Sequence, residues 1–197
     1  PRALFEKLSA VEMPWRDVSV ILVDERAVAT GHPLSNTALV RDSLTRDRAK
    51  DADLRAFVPD GVDRVEDLSQ LVAAANDCIR DLPAISLAIL GIGGDGHFAS
   101  IFGGMANFEA AVTRGANAAY VPVRLESPPA EAPVDRVTLT LPKLLEAGDL
   151  VLPVSGDLKR AALRRALQGH DPAWPASLLI AQAGARLHIW IEGEDDV

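Results

Sequence analysis

Short apolar runs that alternate with amphipathic helices constrain the fold of this chain more than any other feature of its sequence. Residues 18–25 (VSVILVDE) and 85–93 (ISLAILGIG) are apolar, partly β-branched and end in charge or glycine, which is typical of buried parallel strands. Apolar side chains recur every three or four positions in residues 63–82, and the helix predicted there ends before Pro83. Strands joined by such crossover helices predict an α/β protein with a three-layer, doubly wound, mostly parallel sheet of Rossmann-like form.

The same alternation continues along the rest of the chain. A helix is expected directly after Pro1, and Ser35 and Asn36 are expected to cap a second helix that runs to about Leu44. Further strands are predicted over residues 118–125, 136–141, 149–155 and 186–193, with a helix over residues 156–167. In a doubly wound sheet the ligand lies beyond the carboxyl ends of the strands.

Size and composition exclude several classes of protein. A chain of 197 residues that is 48% hydrophobic fits one compact domain, residues 1–197. The net charge of −8 and the lack of a basic stripe make nucleic acid a poor partner. No apolar run reaches the roughly 18 residues of a membrane span. Cys78 is the only cysteine, so the sequence predicts a cytoplasmic protein without a disulfide framework and without Cys/His metal spacing.

The glycines of LGIGGDGHFASIFGG (residues 90–104) match two nucleotide-binding patterns in part. Gly91, Gly93 and Gly96 have the G-x-G-x-x-G spacing, but the short segment from Gly96 to Phe102 leaves no room for the long crossover helix of that fingerprint. Gly91 and Gly96 also have the spacing of a P-loop, where His97 occupies the position of the required lysine. Both nucleotide interpretations are therefore disfavoured.

Asp95, Gly96 and His97 follow a predicted buried strand and form a candidate catalytic group. A histidine titrates near neutral pH, and a neighbouring carboxylate can orient it or stabilise its charged form. The flanking glycines allow close backbone approach and offer amide N–H groups to an anion. The alternative is structural: His97 caps a short helix and the glycines make a turn.

Three segments together resemble the 6-phosphogluconolactonases. LGIGGDGHFASIFGG resembles the Gly-Gly-Asp-Gly-His-x-Ala-Ser motif of that family. VDERAVATGHPLSN (residues 23–36) is similar to its Asp-Glu-Arg block followed by Ser-Asn. RVTLTLPKLLEAGDLVLPVSGDLKRAAL (residues 136–163) resembles its Arg-x-Thr-Leu block and Gly-x-x-Lys segment, so the resemblance covers nearly the whole chain. It implies the sugar-phosphate isomerase/lactonase type of the α/β fold.

The resemblance implies hydrolysis of 6-phosphogluconolactone to 6-phosphogluconate in the oxidative pentose phosphate pathway, without a metal or another cofactor. His97 is expected to be the general base that activates water, and Asp95 to orient it or tune its pKa. The implied partner is a small phosphorylated sugar lactone, with no nucleic acid and no membrane. The protein itself is expected to be a monomer or a small homo-oligomer.

Several residues are expected to bind the substrate. Arg26 and Lys159 match the family's motifs as cations for the 6-phosphate, and the alternative for each is a solvated surface charge. The further candidates are Asp24, Gly93, Gly94, Gly96 and Arg136.

Five of the residues near these motifs have a structural alternative. Asp24 and Glu25 could line the sugar site or hold Arg26 by charge pairing, and a structural role is favoured for Glu25. Ser35 and Asn36 are more simply a helix cap than ligand contacts. Arg136 could bind substrate or form a surface ion pair.

The sequence departs from the family pattern in two places. Gly103 stands where the family usually has proline after the Phe of the histidine motif. The family's Ser-Gly-Gly-Ser-Thr phosphate loop would fall just before Pro1, so the N-terminal strand and this loop are expected to be missing from the sequence. Part of the phosphate site would then be missing as well.

Two other functions compete with lactone hydrolysis. Glucosamine-6-phosphate deaminases share the fold and a Gly-x-Asp-Gly-His stretch, but there a glutamate follows soon after the histidine, whereas this chain has none before Glu109. A non-catalytic sugar-phosphate sensor is the second alternative, and it predicts an attached DNA-binding segment or a damaged histidine motif. Neither feature is present in the sequence.

Overall fold

The computed structural model describes residues 1–193 except residues 63, 64, 66, 114, 116, 117, 128 and 131. Its contacts divide the chain into two compact units, the first formed by residues 1–81 and 128–137 and the second by residues 82–127 and 138–197. The single domain over residues 1–197 stays a prediction. Among the helices that the structure describes, none has the length and apolar character needed to cross a lipid bilayer.

Helices and short strands alternate along most of the chain, as the sequence predicts. In chain order they are α1 (Arg2–Ser9), β1 (Ser19–Ile21), β2 (Asp24–Arg26), α2 (Asn36–Ser43), β3 (Asp53–Arg55), α3 (Leu68–Cys78), β4 (Leu87–Ile89), α4 (Phe108–Val112), β5 (Tyr120–Val123), β6 (Arg136–Leu139), α5 (Leu141–Leu144), β7 (Asp149–Val154), α6 (Asp157–Ala166), α7 (Ala176–Ala183) and β8 (Leu187–Ile191). Short 3₁₀ turns occupy Trp15–Asp17, Asp47–Asp51 and Gly184–Arg186.

In the first unit, the prediction of a single strand over residues 18–25 is wrong. The chain forms β1 and β2 instead, with a break at residues 22 and 23, because the two strands pair with different neighbours. β1 runs parallel to β3, with Ser19 opposite Asp53 and Ile21 opposite Arg55. β2 lies beside the start of β6, and just past its end Ala27 donates its N–H to the carbonyl of Asp135 at 2.8 Å.

In the second unit, β4, β7 and β8 form a parallel sheet with β7 at its centre. Leu150 and Leu152 on one face of β7 have no exposed surface and Val151 on the other face is 6% exposed, as expected of a strand covered on both faces. Leu179 of α7 is equally buried, so the helix contributes to the same apolar core. Every strand pair whose register the structure gives is parallel, and the predicted α/β class with mostly parallel strands is confirmed.

Several predicted elements are shorter in the structure than in the sequence pattern. The helix predicted over residues 63–82 is α3, which begins at Leu68 behind Asp67; residues 63, 64 and 66 lie outside the described part. The Asp67 carboxylate accepts the Ser69 N–H at 2.8 Å and so caps the helix. The strand predicted over residues 136–141 ends at Leu139, because Leu141 and Pro142 begin α5.

Candidate functional site

A tight turn after β4 carries the histidine motif, and we call residues 92–98 the histidine turn. Ile92 and Phe98 close it as an isolated antiparallel bridge. Inside it, Gly93 donates its N–H to the His97 carbonyl at 2.8 Å, and Gly96 donates to the Gly93 carbonyl at 3.0 Å. The φ of Gly96 is +78°, a region that glycine enters without steric cost. These hydrogen bonds close the backbone into one tight turn, which carries both Asp95 and His97.

Asp95 and His97 form a directly bonded pair. The Nδ1 atom of the imidazole lies 2.5 Å from Oδ1 of the carboxylate, and the backbone N–H of His97 donates to the same oxygen at 3.3 Å. With Nδ1–H donating to Asp95, the neutral ring carries its lone pair on Nε2, where it can accept a proton. The His97 side chain is 25% exposed, so it is sheltered but open to a small molecule.

The hydrogen bond from His97 holds the pKa of the Asp95 carboxyl below its ordinary range, against the opposing effect of burial. Asp95 is therefore ionised at neutral pH and stabilises an imidazolium when His97 takes up a proton. The pair stabilises the folded protein above the carboxyl's unfolded pKa, and this contribution is lost as the pH falls through the lower folded pKa.

The structure rules out the helix-cap interpretation of His97. No helix follows it: the chain forms turns and isolated bridges until α4 begins at Phe108. The ring of His97 instead stacks on Phe102, with the centroids 4.2 Å apart. This contact and the bond to Asp95 fix the orientation of the imidazole on two sides.

The glycines of the histidine turn leave room for neighbouring side chains. A Cβ on Gly93 would lie 2.2 Å from the His97 ring, and one on Gly94 would lie 2.8 Å from the Leu158 side chain. A Cβ on Gly96 would lie 2.4 Å from the ring of Trp174. Substrate contact by these three glycines stays a prediction. A Cβ at Gly93 or Gly96 would displace an aromatic ring, whereas the exposed Leu158 side chain could move away from one at Gly94.

The first turn of α6 lies against the histidine turn, through the contact of Leu158 with Gly94. Gly156 at its start has a φ of +82°, and Lys159 follows within the same helical turn. Lys159 is half-buried. The contact of Leu158 with Gly94 places this first turn, which includes Lys159, against the histidine turn. A helix start and a cation together favour an anion, and phosphate binding by Lys159 stays a prediction.

Gly103, the departure from the family pattern, is explained by a tertiary contact. A Cβ at this position would lie 2.6 Å from the backbone carbonyl oxygen of Ala173, a contact that cannot form without moving the backbone. Any side chain, including the family's proline, would force the loop before α7 away from this turn. The two segments are 70 positions apart, and so no local pattern in the sequence could have revealed the contact.

In the first unit, Glu25 has the structural role that the sequence favoured. Its side chain is fully buried, and its carboxylate accepts the backbone N–H groups of Arg26, Asn36 and Thr37, each at 2.7 Å. The hydroxyls of Ser35 and Thr37 donate to it at 3.1 and 2.8 Å. Glu25 thus satisfies the N-terminus of α2, where Ser35 is also the predicted cap and accepts from the Ala38 N–H at 3.1 Å.

Asn36 does not cap the helix. Its side chain links Arg26 and Asp24, two of the residues predicted to bind the substrate. Its side-chain oxygen accepts a short hydrogen bond from the Arg26 guanidinium, and its amide group donates to the carbonyl of Asp24 at 2.7 Å. Arg26 is half-buried, and its Nε atom has no hydrogen-bond partner among the described residues. A charge pair between the side chains of Glu25 and Arg26 is not what holds this arginine.

Arg136 is 4% exposed and donates to the carbonyl of Ala132 at 2.9 Å. The surface ion pair, one of the two alternatives for Arg136, is therefore wrong, because the side chain is buried. Its contact with substrate stays a prediction. In the part of the chain that the structure describes, no three His, Cys, Asp or Glu side chains gather so as to hold a metal ion.

Comparison with known proteins decides the family. The sequence model for Glucosamine-6-phosphate isomerases/6-phosphogluconolactonase matches residues 1–190. The chain belongs to this family. A 6-phosphogluconolactonase from Neisseria meningitidis is 33% identical over 190 residues, which are 96% of this chain and 80% of the relative. One from Rhizobium meliloti is 33% identical over 192 residues, covering 96% and 79%.

Solved structures of the glucosamine-6-phosphate isomerase/6-phosphogluconolactonase family confirm the predicted fold. A 6-phosphogluconolactonase from Shewanella baltica superposes with a TM-score of 0.86 at 30% identity, covering 97% of this chain and 78% of the other. A monomeric glucosamine-6-phosphate deaminase has a TM-score of 0.67 at 21% identity, over 90% and 73%. The deaminase shares the fold alone at this identity, whereas the lactonases also share sequence. The resemblance predicted from the three motifs is confirmed.

Proposed function

We propose that the protein hydrolyses 6-phospho-D-glucono-1,5-lactone to 6-phosphogluconate, as a step of the oxidative pentose phosphate pathway. The observation that carries this proposal is the Asp95–His97 pair, bonded at 2.5 Å within the histidine turn of a chain from this family. The Neisseria and Rhizobium relatives named as 6-phosphogluconolactonases support the substrate.

In the proposed mechanism, Nε2 of His97 takes a proton from water as its oxygen attacks the lactone carbonyl carbon. The tetrahedral intermediate then expels the ring oxygen, and the imidazolium returns the proton to that leaving group. The ester C–O bond is broken, a carboxylic acid and a hydroxyl group are formed, and the acid releases its proton at neutral pH. Asp95 stabilises the imidazolium between the two transfers.

The phosphate group of the substrate is assigned to Lys159 and the first turn of α6. The helix start offers backbone N–H groups, the Lys159 ammonium adds a charge, and the turn abuts Gly94 beside the catalytic pair. Arg26, whose guanidinium is oriented by Asn36, is retained as a predicted phosphate ligand. Asp24 is retained as a candidate sugar-hydroxyl acceptor.

The deaminase alternative lacks support from the residues near His97. Glu109, the first glutamate after the histidine, lies in α4, and its carboxylate accepts the hydroxyl of Thr113 at 3.1 Å. It therefore belongs to the surface of that helix. A cytoplasmic location and a monomeric or small homo-oligomeric state remain predictions from the sequence.

A direct assay separates the two activities. Freshly prepared 6-phosphogluconolactone is followed in a pH-stat with subtraction of its spontaneous hydrolysis, and glucosamine 6-phosphate is tested in parallel for ammonia release. We expect proton release that scales with enzyme concentration and no ammonia. Ammonia release without lactone hydrolysis would establish the deaminase instead. Calorimetric binding of 6-phosphogluconate with neither activity would favour the sensor.

A further inference from the structure

The ring of Trp174 covers Gly96, the residue between Asp95 and His97. A Cβ at Gly96 would lie 2.4 Å from two ring carbons and 2.6 Å from Nε1, so the indole lies directly on the Gly96 backbone. The backbone N–H of Ala176 also donates to the Gly96 carbonyl at 2.8 Å. The chain around the start of α7 is therefore attached to the histidine turn by one side chain and one hydrogen bond.

Trp174 is itself held firmly in place. Its indole N–H donates to the carbonyl of Ala162 in α6 at 3.1 Å, and the guanidinium carbon of Arg165 lies 3.9 Å from its ring centroid. Arg165 also lies 3.5 Å from the carboxylate of Asp171. The carbonyl of Asp171 in turn accepts the Trp174 backbone N–H at 2.8 Å. These contacts hold the indole against α6 and tie its backbone to Asp171 in the loop before α7.

The histidine turn needs such a contact because its glycine-rich backbone has many accessible conformations. Gly93, Gly94 and Gly96 have wide backbone freedom, and ordering each of them costs more conformational entropy than ordering other residues. A misplacement of about 1 Å at a catalytic group can lower a rate about 10²-fold. The bond to Asp95 and the stacking on Phe102 orient the His97 ring, and the contact with Trp174 holds the backbone residue between Asp95 and His97.

We propose that Trp174 is a positioning residue, which holds the Gly96 backbone and thereby fixes the Asp95–His97 pair for the reaction. The inference rests on the proposed role of His97. Trp174 acts through the turn and not through contact with the substrate. Its loss is expected to reduce the fraction of molecules with a productive pair, which lowers kcat and leaves KM nearly unchanged.

The first test compares three variants with the wild-type chain in the lactone assay. We expect Trp174→Ala to lower kcat 10- to 100-fold with KM within threefold, and Trp174→Phe, which keeps an aromatic ring on Gly96, to restore kcat to within threefold. Trp190→Ala is the matched control, since Trp190 lies on β8 with 56% of its surface exposed, and we expect wild-type kinetics. Equal activity of Trp174→Ala and the control would overturn the proposal.

The second test separates this inference from the proposed role of His97. If Trp174 acts through His97, adding Trp174→Ala to His97→Gln lowers kcat by less than twofold, because the pair no longer contributes. If the double variant instead has a kcat 10- to 100-fold below that of His97→Gln, the positioning role is overturned. A His97→Gln variant with wild-type activity would instead refute the general base. Should Trp174→Ala fail to fold, Trp174→Leu replaces it with the same expected loss and the same rescue by Trp174→Phe.

Discussion

Neutralising Glu25 by Glu25→Gln is expected to destabilise the protein, although the change is nearly isosteric. The carboxylate accepts five hydrogen bonds: two backbone N–H groups at Oε1, from Arg26 and Asn36, and at Oε2 the Thr37 N–H with the hydroxyls of Ser35 and Thr37. An amide replaces one oxygen with an NH₂ donor. The hydroxyls can turn to accept from it, but a backbone N–H cannot.

The better amide orientation therefore places NH₂ at the Oε2 position, where only the buried Thr37 N–H loses its acceptor. One such unsatisfied buried donor costs about 1–3 kcal/mol. Loss of the negative charge at the N-terminus of α2 adds up to about 2 kcal/mol. The expected decrease in the free energy of unfolding is thus about 1–5 kcal/mol.

Urea denaturation followed by circular dichroism measures this change from the midpoint and slope. The matched control is Glu12→Gln, which removes the same charge from a side chain that is 88% exposed in the same unit. We expect the control to lie within about 0.5 kcal/mol of the wild-type value. A Glu25→Gln protein as stable as the control would refute the capping role of this carboxylate.

Three further predictions concern the site and the residues around it. Asp95→Asn is expected to lower kcat on the order of 10²-fold, because the asparagine cannot stabilise an imidazolium, and unchanged kcat would contradict this. Arg26→Ala and Lys159→Ala are each expected to raise KM for the phosphorylated lactone about 10-fold or more. KM for unphosphorylated gluconolactone should stay the same, and an equal effect on both substrates would argue against phosphate contact. Gly103→Ala is expected to lower the free energy of unfolding by about 1–3 kcal/mol, whereas Gly104→Ala, whose Cβ would meet nothing within 4 Å, serves as the control.

Local patterns predicted the elements that depend on local interactions. The Ser35 cap, the helix after Gly156 and the position of His97 after a parallel strand all follow from spacing and residue type, and the structure contains them. α7 was not predicted, although Pro175 before it and Gly184 after it are the signals that could have found it. Its mostly apolar sequence lacks the polar face on which the periodicity argument depends.

Contacts between distant segments account for what the sequence could not reveal. β3 is a polar three-residue strand that pairs only because β1 lies beside it. The contact of Gly103 with Ala173 joins segments whose sequences contain no shared signal. Glu25 was expected to be structural, but its five donors become visible only when β2 and the start of α2 are side by side. Long-range packing decided each of these features.

The most direct test of the proposed mechanism is the kcat of His97→Gln on 6-phosphogluconolactone. His188→Gln is the control, because His188 also bonds a carboxylate, Asp149, at 2.8 Å but lies on the exposed face of β8. We predict that His97→Gln lowers kcat by about 10²- to 10⁴-fold with a small change in KM, while the control stays within twofold of wild type. A His97→Gln protein with activity within twofold of wild type would contradict the central claim.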